Sequence, residues 1–158
     1  MNNKYLFSHK SEEPENGVLY IVGTPIGNLS DISFRALNIF KNVSLIACED
    51  TRQTRKIMSK FEFKNNLISF NKHNSNKKIP KIINDLNLGK SIALASDAGM
   101  PSICDPGEDL IREARSKDIN VICIPGPCAA ITALASSGLP SSKFIFEGFL
   151  PKKNSERE

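Results

Sequence analysis

The chain has 158 residues, 40% hydrophobic and 24% charged, with a formal net charge of +4. That suits one globular domain with room for the start of another. No run of 18 apolar residues occurs and the N-terminus is polar, so neither a membrane span nor a signal peptide is expected, and the chain reads as cytoplasmic. Cys48, Cys104, Cys123 and Cys128 form no CxxC pair and have no histidine at ligand spacing, which favours reduced thiols over disulfides or zinc ligands.

Residues 1–17 are polar and predict a disordered or loosely attached tail. Val18 to Val22 predicts the first strand. Asp31 is the expected N-cap of a helix running to Asn42, with Ile32, Ala36, Leu37, Ile39 and Phe40 on its apolar side. Val43 to Cys48 predicts a second strand, Thr51 to about Phe61 a second helix, and Leu67 to Phe70 a third strand. A helix over Asn76 to Leu88 follows, with Pro80 near its first turn and Gly89 beyond its end. Ser91 to Ala95 predicts the fourth strand, and Asp105 and Pro106 the cap and first residue of the next helix. Val121 to Ile124 predicts the fifth strand, and Pro127 to Ser137 an Ala-rich helix stopped by Gly138 and Pro140.

Short, solidly apolar strands alternating with amphipathic helices specify an α/β fold: a five-stranded parallel sheet with helices on both faces, over residues 18–140. From Ser141 the pattern changes. Phe144 to Phe149 predicts a further strand, and Leu150 to Glu158 a turn leading into a helix. Residues 141–158 therefore read as the start of a second α/β domain whose remainder is absent.

In a parallel sheet the loop after every strand lies on one rim, where open α/β sheets bind ligands. The distinctive residues all follow strands: Gly23-Thr24-Pro25-Ile26-Gly27-Asn28, Glu49-Asp50-Thr51-Arg52, Asn71-Lys72-His73-Asn74, Ser96 through Gly107, and Pro125-Gly126-Pro127-Cys128-Ala129. Loops at the other rim, such as Phe63-Lys64-Asn65-Asn66, are plain polar turns. The longest of the distinctive loops holds two Asp, two Gly and two Pro between Ser96 and Gly107, a stiff wall rather than a floppy connection. This asymmetry points to one composite site.

Gly23 to Gly27 lacks the Lys-Ser/Thr of a P-loop, and no GxGxxG follows the first strand. Ser96 is outside any GxSxG elbow, and His73 is the only histidine beyond the tail, which speaks against a hydrolase triad. Glu49, Asp50, Asp97 and Asp105 could hold magnesium, but helix capping and arginine pairing explain them as well, and no metal is expected. The small residues after Pro125 suit either a flat ligand against exposed backbone or close helix–sheet packing. Arg52, Arg55, Lys56 and Lys60 recur at i, i+3, i+4 and i+8, giving the second helix one basic face that starts at the rim. That face is either an ordinary solvated surface or a set of phosphate contacts, and Lys72, His73, Lys77 and Lys78 near the same rim favour RNA. No aromatics are interleaved, so base stacking is not indicated.

Leu19 to Ile32, Glu49-Asp50-Thr51-Arg52, Ser96 to Gly107, Pro125 to Leu134, Ser137-Gly138-Leu139-Pro140 and Phe146 to Pro151 together resemble the RsmI-type small-subunit ribosomal RNA methyltransferases of the tetrapyrrole methylase superfamily. The resemblance implies an S-adenosylmethionine-dependent enzyme that methylates the ribose 2′-oxygen of a cytidine in 16S rRNA of the small ribosomal subunit. It implies two domains with the methyl donor between them, and a homodimer at full length. Carried over by position, the donor site would use Ile26, Asp97, Met100, Cys128 and Ala129, with Ser96, Ala98, Gly99, Gly126 and Pro127 shaping its loops. The resemblance establishes no catalytic base. Glu49, Asp50 and Asp105 are the candidate carboxylates, while Arg52 would anchor RNA phosphate or orient Glu49. Arg52, Arg55, Lys56, Lys60, Lys72 and His73 are the candidate RNA contacts. A tetrapyrrole carbon methylase, or a non-catalytic RNA-binding fragment, is the alternative.

Overall fold

The computed structural model describes residues 13–151 and 153. Its elements in chain order are β1 (Leu19–Val22), α1 (Phe34–Asn42), β2 (Leu45–Cys48), α2 (Thr51–Lys60), β3 (Leu67–Ser69), α3 (Ser75–Asn87), β4 (Ile92–Ala95), α4 (Glu108–Ser116), β5 (Val121–Ile124) and α5 (Ala129–Ser137). All strand pairs are parallel, in the order β3-β2-β4-β1-β5. The central strands β1 and β4 are buried at every position, which is why they read as unbroken apolar runs. Register is uniform: Val22 pairs with Ala95 and Ile124, and Cys48 with Ala95 and Ser69. All five strands therefore end on one rim.

Side-chain alternation divides the core. Tyr20, Val22, Ile46 and Ala93 face α1 and α2, while Leu19, Ile21, Ala47 and Leu94 face α3 and α4. From β1 to β3 the chain moves one way with helices on one face; from β3 to β5 it moves back with helices on the other, as right-handed crossovers require. The direction reverses between the neighbouring strands β1 and β4, and a crevice opens beyond their C-terminal ends. Phe40, Phe70 and Ile39 are fully buried; each such side chain contributes roughly 1.5–3 kcal/mol.

Several boundaries differ from the sequence reading. Asp31 does not cap α1. The Asn28 side chain accepts from the Ser30 N–H and closes a short 3-10 turn over Leu29–Asp31, and the chain extends again at Ile32. Ser33 is the cap, its Oγ accepting from the Ala36 N–H at 3.1 Å. Nor does Asp105 cap α4. Gly107 does, at φ 145°, and an added Cβ there would lie 2.7 Å from the Leu94 side chain. The packing of α4 onto β4 thus needs a glycine at the start of the helix, two residues beyond Asp105. In α3, Pro80 is the sixth residue rather than part of the first turn; the exposed Asn76 leaves water to take the carbonyl that Pro80 cannot serve. Helix α5 begins at Ala129, not Pro127.

Residues 144–149 form no strand. The run is apolar enough for a strand, but among the described residues it pairs with none, and a strand cannot form without a ladder partner. Residues 1–12 of the expected tail lie outside the described residues. Residues 13–17 are held: the Glu13 carboxylate pairs with Arg35, the Glu15 N–H donates to the Tyr20 hydroxyl at 2.8 Å, and the Gly17 N–H to the Gly89 carbonyl at 3.0 Å. Composition favoured looseness there, but contacts with α1, β1 and the turn after α3 tie these residues down.

Candidate functional site

At the rim, the loops after β1, β4 and β5 are joined backbone to backbone. The Thr24 N–H donates to the Gly99 carbonyl at 2.9 Å and the Gly99 N–H to the Thr24 carbonyl at 3.1 Å, an antiparallel bridge above a parallel sheet. The Ser96 and Thr24 hydroxyls both reach the same Gly99 oxygen, at 3.1 and 3.3 Å. On the other side Gly23 and Gly126 touch through bare backbone: a Cβ added to either would lie 2.7 Å from the other's Cα. Beyond Gly99 the loop turns through Ser102 and Cys104, both at positive φ, 68° and 61°. Non-glycine residues hold such angles only where surroundings impose them.

These loops enclose a cavity of about 250 Å³. Of the ten residues expected to hold or shape a donor site, Ile26, Ala98, Gly99, Met100, Cys128 and Ala129 line it. Ser96, Asp97, Gly126 and Pro127 do not. Ser96 is buried beneath, where it holds Gly99. Gly126 spaces the β1 and β5 loops, and Pro127 is half-buried with its carbonyl near Gly99. Asp97 leans the other way, its Oδ1 accepting the Asp50 N–H at 2.9 Å and so tying the β4 loop to the β2 loop. Cys128 starts α5 without a side-chain cap. The first-turn N–H groups of α5, which no helical carbonyl can serve, therefore open on the cavity.

Ile103, Cys104, Ala130, Phe146, Gly148 and Phe149 also line the cavity and were missed as site residues in the sequence. The sequence held a signal for three of them: Ile103 is a large apolar residue inside the stiff Ser96–Gly107 loop, and Phe146 and Phe149 stand on either side of Gly148, where the structure brings an added Cβ to 3.2 Å from the Cys104 sulfur.

Carboxylates gather where the β2 and β4 loops meet. Burial pushes the Glu49 carboxyl above its ordinary value, and the charges of Asp105 and Asp97 push it further; the Asp97 N–H and Lys72 oppose this. Asp105 is raised for the same reasons, burial first and then Asp97, with the Ser96 hydroxyl and Lys72 opposing. Asp105 lines both the main cavity and an adjoining groove that contains Lys72. Asp50 behaves differently. Its carboxylate caps α2 by accepting the Arg52 N–H at 2.8 Å and clamps the Arg52 guanidinium at 2.6 to 3.0 Å. Those bonds pull it down to about 2, so Asp50 is a poor proton acceptor. Arg52 is thereby engaged by Asp50, and among its described bonds none orients Glu49. Arg55, Lys56, Lys60, Lys72 and His73 are exposed. Among the described residues no group of three His, Cys, Asp or Glu could hold a metal ion, and no helix is long and apolar enough to cross a membrane.

Residues 18–157 match the family described as Tetrapyrrole (Corrin/Porphyrin) Methylases, across the whole sheet and the loops of its rim. The chain belongs to the tetrapyrrole methylase family. Its curated relatives include "Ribosomal RNA small subunit methyltransferase I" of Buchnera aphidicola subsp. Schizaphis graminum, 51% identical over 143 residues, covering 90% of this chain and 50% of the relative. The same-named protein of Escherichia coli O157:H7 is 49% identical over 149 residues, covering 94% and 52%. That of Thermotoga maritima is 52% identical over 141 residues, covering 89% and 64%. The chain thus spans about half the length of most curated relatives it matches. Among solved structures, uroporphyrin-III-C-methyltransferase from Thermus thermophilus aligns with a TM-score of 0.60 at 20% identity, over 78% of this chain and 53% of that one. At that identity the likeness speaks for the fold alone. The tetrapyrrole methylase fold therefore accounts for the five-stranded parallel sheet and its helices.

Proposed function

We propose that this chain is the N-terminal part of an S-adenosylmethionine-dependent methyltransferase that methylates the ribose 2′-oxygen of a cytidine in 16S rRNA of the small ribosomal subunit. In this reading residue 141 onward begins a second domain, and the enzyme acts in the cytoplasm, where its substrate is. The observation that carries the reading is the joined rim: a cavity walled by Ile26, Gly99, Met100, Cys128 and Ala129, with raised carboxylates on one side and a basic helix beginning beside them. About 50% identity to proteins named as ribosomal RNA methyltransferases supports the substrate class.

The donor set fits the cofactor. Apolar Ile26 and Met100 suit an adenosine, and the uncapped N–H groups of α5 suit its polar edges or a carboxylate. The cavity is smaller than the roughly 300–1,000 Å³ usual for small-molecule sites, consistent with one wall of a cleft. When bound, the cofactor supplies a sulfonium methyl that a nucleophile takes directly, without metal or redox chemistry. The chain's part is to position and to accept a proton. Glu49, with its raised carboxyl, is the candidate acceptor for the ribose hydroxyl proton; burial first, then the charges of Asp105 and Asp97, raise its affinity, and Lys72 opposes them. Ser96 and Thr24 hold the Gly99 carbonyl and so fix one wall of the cavity in which the donor would sit.

Ile131, Leu139, Phe144, Ile145 and Leu150 stand exposed along the α5 side. So much exposed apolar surface on one flank supports a covering layer in the complete protein, supplied by the second domain and, at full length, by homodimer formation.

Incubating small ribosomal subunits with labelled methyl donor and the full-length protein is expected to yield 2′-O-methylcytidine, lost in Glu49→Gln. Label appearing on a tetrapyrrole instead, or no ribose methylation, would overturn the assignment.

A further inference from the structure

Positive charge is concentrated in one part of the chain. Residues 51–90 carry ten Lys and Arg against two acidic residues, Glu62 and Asp85, so the remainder of this +4 chain is net acidic. The fold gathers that stretch around the outer edge of β3. Strand β3 pairs with β2 on one side only. It lies between α2, on one face of the sheet, and α3, on the other. Both helices start at the rim and run back along the sheet, since each follows a parallel strand.

Arg55, Lys56 and Lys60 on α2 are exposed, as are Lys77 and Lys81 on α3, with Lys78 half-buried. Among the described residues none of these six makes an ion pair. Lys78 and Lys81 line a groove of about 430 Å³ that also contains Ile68 of β3. Thirteen residues at about 1.5 Å each give α3 a length of about 20 Å. Two rows of unpaired cations thus flank a sheet edge for most of its length, beginning beside the carboxylates of the rim.

We propose that the β3 edge is a docking surface for the phosphate backbones of duplex RNA, with α2 contacting one strand and α3 the other. The proposal rests for its partner on the RNA-methylation reading and extends it from the rim to the side of the domain. Lysine at a sheet edge also discourages strand pairing. That role needs charge beside the strand only, whereas here it is carried on two helices reaching away from it. The absence of exposed aromatics among these cations favours paired RNA over unstacked single strands. An RNA lying there would place a flanking helix down the β3 side and its target nucleotide at the rim, leaving the apolar α5 side free.

The test is fluorescence anisotropy of the chain with an RNA hairpin of about 20 base pairs and arbitrary sequence, without methyl donor, across a salt series. Each neutralised phosphate adds about 0.7–0.9 to the slope of log affinity against log salt. The Lys60→Gln/Lys77→Gln/Lys81→Gln variant should therefore lose about 2–3 from that slope, and about a hundredfold in affinity at about 0.1 M salt. The matching Lys→Arg triple should retain both. A control double away from this edge, Arg112→Gln on α4 and Lys143→Gln beyond α5, should leave the slope unchanged. An unchanged slope in the first variant, an equal loss in the control, or equally tight binding of poly-glutamate would each overturn the proposal. Titration of the same proteins with S-adenosylmethionine by calorimetry separates the two readings. Donor binding without RNA binding defeats the docking surface, and RNA binding at this edge without ribose methylation by the full-length protein defeats only the enzymatic assignment.

Discussion

Replacing Gly126 by alanine places a methyl group 2.7 Å from the Gly23 Cα and 2.9 Å from the Gly23 carbonyl atoms. Comfortable carbon–carbon contact is about 3.5–4.0 Å, so the β1 and β5 loops must part by about 1 Å. Neither partner is a flexible side-chain end; both are backbone next to strands in register across the sheet. Overpacking of this kind typically costs about 1–3 kcal/mol. For a domain of this size each kcal/mol lowers Tm by about 2–4 °C, so Gly126→Ala is expected to melt roughly 3–10 °C below the parent. Because Gly23 also lies within 3.3 Å of the Ile124 carbonyl and Thr24 carries the bridge to Gly99, the displacement should reach the cavity wall. Circular dichroism melts give the first quantity, and calorimetric titration with S-adenosylmethionine the second. A Tm within 1 °C of the parent, together with unaltered donor binding, would refute the claim that this contact sets the geometry of the rim.

Ser33→Ala should destabilise the domain by about 1 kcal/mol in urea denaturation, whereas Asp31→Ala should change little, since Ser33 and not Asp31 holds the Ala36 N–H. Glu49→Gln should raise Tm at neutral pH. A carboxyl raised in the folded state contributes stability that is complete below its unfolded value and is lost as pH climbs through its folded value, so the ionised parent carries a penalty the amide lacks. The Tm difference should vanish below the ordinary glutamate range of about 4.3, and the full-length enzyme's kcat/KM should rise with pH along a limb displaced upward from that value. Arg52→Ala should let the Asp50 carboxyl climb from about 2 towards the ordinary aspartate value, followed by NMR titration; a carboxyl that stays low would show that the helix cap alone holds it there.

The sheet was legible because each strand is short, solidly apolar and followed by turn residues, a pattern only a covered parallel sheet requires. The rim was legible for a related reason: strand direction alone puts Ile26, Gly99 and Cys128 on one side. What escaped was decided by local competition or by distant partners. Asp31 and Ser33 are both good caps two residues apart, and the Asn28 turn chose between them. Asp105 lost its capping role because Leu94, eleven residues earlier, demands a glycine at 107. Phe146 and Phe149 lie in an apolar run that reads as a strand, yet without a ladder partner among the described residues they line the cavity instead. The Asp50–Arg52 clamp spans two residues and could have been foreseen from the Asp-x-Arg at a helix start.

The bridge between Thr24 and Gly99 and the bare contact of Gly23 with Gly126 also limit how this rim can be altered. Loops that hang separately from a sheet accept insertions and exchanges one at a time. Here three of them share hydrogen bonds and van der Waals surface, so a segment grafted into one must also satisfy two neighbours. Attempts to redirect specificity should therefore transplant the β1, β4 and β5 loops as a set, leaving diversity to Ile103 and to the residues around Phe146, which touch the cavity without bracing it.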